Sequence, residues 1–167
     1  QLTAADRAGI LNIHASGLVL DGRGILLRGA SGAGKSLLAL ELLDRAALQG
    51  TEGMLVADDR VDLERHGDIL IMRPPPAIAG RIELRGRGIV RRPHLAAAPV
   101  HLVVDLVDDL VRLLDEEEFA TDLLEVALPR CPVPRRGVID STHQMLLIAE
   151  ALASPNRVGD ARRQEFT

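Results

Sequence analysis

Apolar positions along this chain fall mostly into short runs with the spacing of strands, and two longer stretches have the spacing of helices. Ile10, Leu11, Ile13, Leu18, Val19 and Leu20 predict a strand over residues 10–20, with an irregularity around His14-Ala15-Ser16-Gly17. Asp21-Gly22-Arg23-Gly24 has the composition of a hairpin turn. It returns the chain antiparallel into the apolar run Gly24-Ile25-Leu26-Leu27-Arg28. Residues 37–48 predict a helix that ends near Gln49-Gly50, and Met54-Leu55-Val56-Ala57 a short strand. Residues 61–65 alternate and pair, through a His66-Gly67-Asp68 turn, with residues 69–72. Pro74-Pro75-Pro76 ends that hairpin, and residues 77–80 read as the start of a short helix with proline in its first turn.

Further on, residues 91–99 read as a loop, 100–107 as a buried strand and 123–128 as another strand. Residues 129–137 hold three prolines and three arginines and read as a basic loop. Residues 138–153 predict a C-terminal helix with Asp140 or Ser141 near its start. Residues 1–9 show no period and read as a lead-in, and the polar stretch from Ser154 onward as a disordered tail. The whole predicts an α/β fold with one domain over residues 1–153 and a polar tail over residues 154–167, with no internal repeat and no linker.

Between the second strand and the first helix lies Gly29-Ala30-Ser31-Gly32-Ala33-Gly34-Lys35-Ser36, the G-x-x-x-x-G-K-S pattern of a phosphate-binding loop. A strand, a glycine loop and a helix N-terminus in that order aim backbone N–H groups at one point. Lys35 then reaches the outer phosphates and the Ser36 hydroxyl binds Mg²⁺. The next strand ends in Asp58-Asp59, where a carboxylate can accept a substrate proton or hold a metal through water. His14 lies on the strand beside the phosphate site, and its residue type alone suits a structural role as well as a catalytic one. The segment 82–90 packs Glu83, Arg85 and Arg87 around Gly86 and Gly88. It reads equally as a bulged strand with exposed charges or as a backbone brought close to a ligand, with arginines suited to phosphate. Asp105 ends an apolar run in the manner of a metal-binding strand, but Leu106-Val107 continue the run and favour a mid-strand position. The acids at 108–109 and 115–118 read as a solvated face around Arg112.

Composition narrows the function. The 167 residues are 47% hydrophobic, enough for one domain with a core. The net charge of −4 implies no broad basic surface, and the only aromatic residues are Phe119 and Phe166, so nucleic acid is a poor partner. The single cysteine, Cys131, excludes an internal disulfide and points to a reducing compartment. No apolar run approaches the ~20 residues of a membrane span and no secretion signal is visible, so the expected location is cytoplasmic.

These motifs together resemble the HPr kinase/phosphorylase family, bacterial enzymes that phosphorylate a serine of the phosphocarrier HPr. The resemblance rests on His14 before the loop, the loop itself, Ala57-Asp58-Asp59-Arg60-Val61, Glu83-Leu84-Arg85-Gly86-Arg87-Gly88-Ile89 and residues 102–106. It covers residues 10–152 and implies a P-loop kinase domain with a mostly β-sheet core flanked by helices. The chain resembles the short, kinase-domain-only form of alphaproteobacteria. By position, the resemblance implies that Lys35 binds the β/γ-phosphates of ATP, and that Ser36 and Glu83 are Mg²⁺ ligands. It also implies that Asp59, with Asp58 beside it, is the base, that His14 lies near the transferred phosphate, and that Arg112 steadies transition-state charge. HPr as partner and a hexameric homo-oligomer follow in the same way. The family's loop linked to dephosphorylation is only partly matched by Pro132-Val133-Pro134-Arg135-Arg136-Gly137, so kinase activity is better supported than phosphorylase activity. The competing readings are a small-molecule P-loop kinase and a non-catalytic ATP-sensing module.

Overall fold

The computed structural model describes residues 9–154. The expected lead-in and tail lie outside the described residues, apart from Gly9 and Ser154. The strands are β1 Ile10–Leu20, β2 Arg23–Arg28, β3 Gly53–Ala57, β4 Arg60–His66, β5 Ile69–Arg73, β6 Arg81–Leu84, β7 Gly88–Arg91, β8 Ala98–Pro99, β9 Leu102–Val107, β10 Ala120–Leu123 and β11 Val126–Pro134. The helices are α1 Lys35–Gln49 and α2 Ser141–Ala153, with a 3-10 turn at Glu116–Phe119.

One sheet has the order β10-β11-β9-β2-β1-β4-β5-β8, with β3 also paired to β1, while β6 and β7 form a separate hairpin. The β2–β9 and β9–β11 pairs are parallel. Strand β1 is the spine. Its first half pairs with β4 and its second half with both β2 and β3. The expected irregularity is present as a register shift at Gly17/Leu18 against β3. A Cβ at Gly17 would lie 2.7 Å from the Met72 sulfur, so the strand bends where another side chain has no room.

Strands β2 and β9 read as continuous apolar runs because both their faces are buried. Ile25, Leu27, Leu102 and Val104 pack with Leu38, Leu42, Met145 and Ile148 of the two helices. Leu26 and Val103 face the other way, into a second cluster with Val56, Leu63, Leu70 and Met72.

Four expectations are corrected. Residues 77–80 form turns, not a helix: three prolines precede them, and Gly80 is left-handed at φ 73°. The strand expected over residues 123–128 breaks at Leu124-Glu125, with φ 49° and 63°. These two residues form the hairpin turn between β10 and β11, a conformation that Asn and Gly favour and that nothing in Leu-Glu announces. Most of the expected basic loop, up to Pro134, is strand β11. It tolerates its prolines because residues 126–129 pair with β10 and 130–134 with β9, so Pro132 and Pro134 have a strand partner on one side only. Helix α2 also starts later than expected, at Ser141, where the Asp140 carboxylate caps it by accepting from the His143 N–H at 2.9 Å.

Asp105 is a mid-strand clamp. Arg28 donates to both its oxygens, Nε to Oδ1 at 2.7 Å and Nη2 to Oδ2 at 2.8 Å, and Arg130 Nε donates to Oδ2 at 2.5 Å. Burial opposes ionisation of Asp105. The hydrogen bonds and charges of the two guanidinium groups outweigh it and hold the carboxyl below the usual carboxylate range. Both oxygens are committed to joining β2, β9 and β11, which replaces the metal role considered from sequence.

Two stability predictions follow from this packing. Asp105→Asn should cost about 2 kcal/mol at neutral pH in denaturant unfolding, because it leaves two half-buried guanidinium groups without their anion. The folded pKa is depressed, so this contribution is present above the unfolded value of about 3.9 and is lost as pH falls through the folded value. The difference between wild type and variant should therefore shrink below about pH 4. Gly24→Ala places a Cβ 1.7 Å from the Pro99 carbonyl oxygen. It should cost about 3 kcal/mol or more by the same measurement, since backbone must move.

Candidate active site

Strand β2 ends at Arg28 and helix α1 begins at Lys35, so the loop between them is as short as the motif requires. Gly32 and Gly34 adopt φ 80° and 93°, and the Ala33 N–H closes a turn on the Ala30 carbonyl at 3.0 Å. Gly29 packs under β9, where a Cβ would meet the Leu106 Cβ at 3.0 Å. Lys35 is buried, and its ammonium donates to the carbonyls of Gly29 at 2.8 Å and Ala30 at 3.2 Å. Burial lowers its pKa, against the raising influence of Asp59 and Asp58. A desolvated cation beside a helix N-terminus favours an anion, and a nucleotide phosphate supplies one.

The two acids after β3 are separated by a sharp backbone turn. Asp59 is left-handed at φ 66°, and the Arg60 N–H bonds back to the Asp58 carbonyl at 2.8 Å. The Ala15 N–H on β1 donates to the Asp59 carbonyl at 3.2 Å and fixes the turn. Asp58 points inward and is 7% exposed. Its Oδ1 accepts from Ser16 Oγ at 2.8 Å and from Ser36 Oγ at 2.7 Å, and its Oδ2 accepts from the Glu83 N–H at 3.4 Å. Asp59 points outward, with its side chain 70% exposed, and its Oδ1 lies 2.7 Å from His14 Nε2. One carboxylate is fixed in the floor, and the other stands at the mouth with a histidine to orient it.

These groups line a cleft of about 770 Å³. His14, Asp58, Asp59 and loop residues 31–36 form one side, and Arg81, Glu83, Arg85 and Ile89 of the β6–β7 hairpin line it as well, with Arg136. His14, Lys35, Ser36, Asp58, Asp59 and Glu83 are thus brought together. Gly29 and Ala30 contribute the carbonyls that hold Lys35. Arg112 is not brought in: it is exposed on the segment between β9 and the 3-10 turn, outside the cleft lining. Arg81, Arg136 and Ser16 were missed as site residues. Arg136 is held by an ion pair to Glu41 on α1, and its signals were a basic stretch read as loop and the partial match of residues 132–137 to the family's loop linked to dephosphorylation. Among the described residues, no three His, Cys, Asp or Glu side chains converge on a metal position. Ser36, Asp58 and Glu83 instead offer a sparse set of hard oxygen donors. That set suits Mg²⁺, which is commonly held by one or two carboxylates plus substrate phosphates.

The family model described as HPr Serine kinase C-terminal domain matches residues 7–159. A protein from Clostridium novyi named HPr kinase/phosphorylase is 32% identical over 157 residues, covering 86% of this chain and 48% of that protein. One of the same name from Geobacillus thermodenitrificans is 36% identical over 134 residues, covering 72% and 41%. The solved structure of the Hpr(Ser) kinase/phosphatase from Coxiella burnetii superposes with a TM-score of 0.67 at 28% identity, covering 89% of this chain and 97% of that one. The chain spans less than half the length of these two curated relatives. The α/β fold expected from sequence is the fold of that structure, and the chain belongs to the HPr serine kinase C-terminal domain family.

Proposed function

We propose that this chain transfers the γ-phosphoryl group of ATP to a serine hydroxyl of the phosphocarrier HPr. The observation that carries the reading is the division between buried Asp58 and exposed Asp59 at a P-loop cleft. The names of its relatives supply HPr as the acceptor.

The triphosphate lies on the amides of residues 31–36, and Lys35 moves from the Gly29 and Ala30 carbonyls to the outer phosphate oxygens. Ser36 and Glu83 are the residues that would hold Mg²⁺, with Asp58 between them in hydrogen-bond contact with both. Bound there, Mg²⁺ would supply charge neutralisation to the polyphosphate. Asp59 takes the proton of the incoming serine hydroxyl as its oxygen bonds to phosphorus and the bond to the ADP oxygen breaks. His14 keeps the Asp59 carboxylate aimed at the mouth. Arg81, Arg85 and Arg136 are the guanidinium groups within the cleft lining, and they offset charge on the transferred group, where much of the rate enhancement arises. Arg112 joins them only if its segment moves. In the phosphorylase direction Asp59 returns the proton to the departing serine oxygen as phosphate attacks. A cytoplasmic location and a hexameric homo-oligomer belong to the same proposal; among the described residues no helix is long and apolar enough to cross a membrane.

The test is incubation with labelled ATP and purified HPr. Wild type should label an HPr serine, and Asp59→Asn should slow labelling by about 10²–10⁴-fold while ATP still binds. Transfer by Asp59→Asn at the wild-type rate would falsify the base assignment, and no label on HPr with wild type would remove HPr as substrate.

A further inference from the structure

Ser16 is a hydroxyl in the middle of β1, fully buried and absent from the cleft lining. It cannot touch a substrate. Its Oγ donates to Asp58 Oδ1 at 2.8 Å, the same oxygen that accepts from Ser36 Oγ at 2.7 Å. A serine hydroxyl has one proton and two lone pairs. When the Ser36 proton points at Asp58, its lone pairs face away from the carboxylate and are free for a cation. That orientation holds only while Asp58 Oδ1 stays where it is. The other tether of the carboxylate, the Glu83 N–H, is long at 3.4 Å and comes from a hairpin outside the main sheet. Ser16 instead sits on the central strand, flanked by β2 on one side.

We infer that Ser16 is a positioning residue: it pins Asp58 so that the carboxylate orients the Ser36 hydroxyl toward Mg²⁺ bound with the nucleotide. The inference rests on the cleft being a Mg²⁺-nucleotide site, and not on which acceptor is phosphorylated. Nucleotide held by Lys35 and the loop amides alone does not need Ser16. The increment in affinity that Mg²⁺ adds does.

Titration of ADP and of ATP, each with excess Mg²⁺ and with chelator, separates the two. In Ser16→Ala the affinity in chelator should equal that of wild type, and the Mg²⁺-dependent gain should fall roughly tenfold, the worth of one hydrogen bond to a carboxylate. Ser16→Cys keeps the volume but offers only a weak donor, so it should behave like Ser16→Ala. An unchanged Mg²⁺ increment in Ser16→Ala overturns the inference. Equal losses with and without Mg²⁺ also overturn it, as does full recovery in Ser16→Cys, because both mark a packing role. Wild type that binds Mg²⁺-nucleotide but leaves HPr unlabelled removes the substrate assignment and is read separately from these outcomes.

Discussion

The carboxylate of Asp58 lies in the cleft floor and accepts hydrogens from three elements that share no other contact of this kind: Ser16 on β1, Ser36 on α1 and the Glu83 N–H on β6. A buried carboxylate without partners is costly enough that the group neutralises or the structure opens. Here its donors are the very parts that the proposed nucleotide site needs held together. The β6–β7 hairpin needs such a tether, because it is hydrogen-bonded to no strand of the main sheet. Ile82 of β6 also packs into the core with helix α1, and further anchors lie along the chain. The Arg92 N–H bonds the Gly80 carbonyl, and residues 93 and 95 bracket Leu55 of β3.

Asp58 and Asp105 are both partly or wholly withdrawn from water, and the identity of their partners separates their roles. Asp105 is surrounded by guanidinium groups, so its charge is spent within the protein and it serves to lock three strands. Asp58 is hydrogen-bonded by two hydroxyls and an amide, none of which carries a charge, and its own charge acts on nearby Lys35. A carboxylate treated in that way keeps a field directed into the cleft, and a cation is the group that completes it. Lys35, desolvated and held by backbone carbonyls, is the complementary case of a positive charge waiting for an anion. In the proposed function, Mg²⁺ and a polyphosphate would satisfy both together.

Much of this was legible in the chain because it depends on local rules. The loop glycines, the irregularity at Gly17 and the acids after β3 each follow from a backbone or spacing requirement that the residue type exposes. What was not legible depends on tertiary context. Leu124-Glu125 turns in a conformation foreign to both residues, because β10 and β11 must pair on either side of it. The prolines of β11 disguise a strand that has one strand partner at a time. Arg112 was named by its resemblance to a family arginine beside an acidic cluster, but proximity to a cleft is a three-dimensional property, and Arg136, just past the end of β11, lines it instead. Ser16 looked like part of an irregularity because a buried hydroxyl explains itself only by its partner.

The open position of Asp59 bears on the kind of acceptor. A residue other than glycine at φ 66° carries backbone strain of roughly 1 kcal/mol or more, and such strain persists where surrounding bonds over-determine it. The Ala15 N–H and the His14 side chain are those bonds, and both hold Asp59 away from the interior. An acid intended for a small acceptor would be expected inside an enclosed pocket, because desolvation strengthens its action and excludes water. Asp59 instead has most of its side chain in solvent, so in the proposed reaction the enclosure would come from the acceptor. A folded protein that lays a serine-bearing surface over the cleft mouth does this, and a free metabolite does not. On the proposed role of Asp59 as the base, its strained, outward turn is consistent with the macromolecular acceptor proposed above.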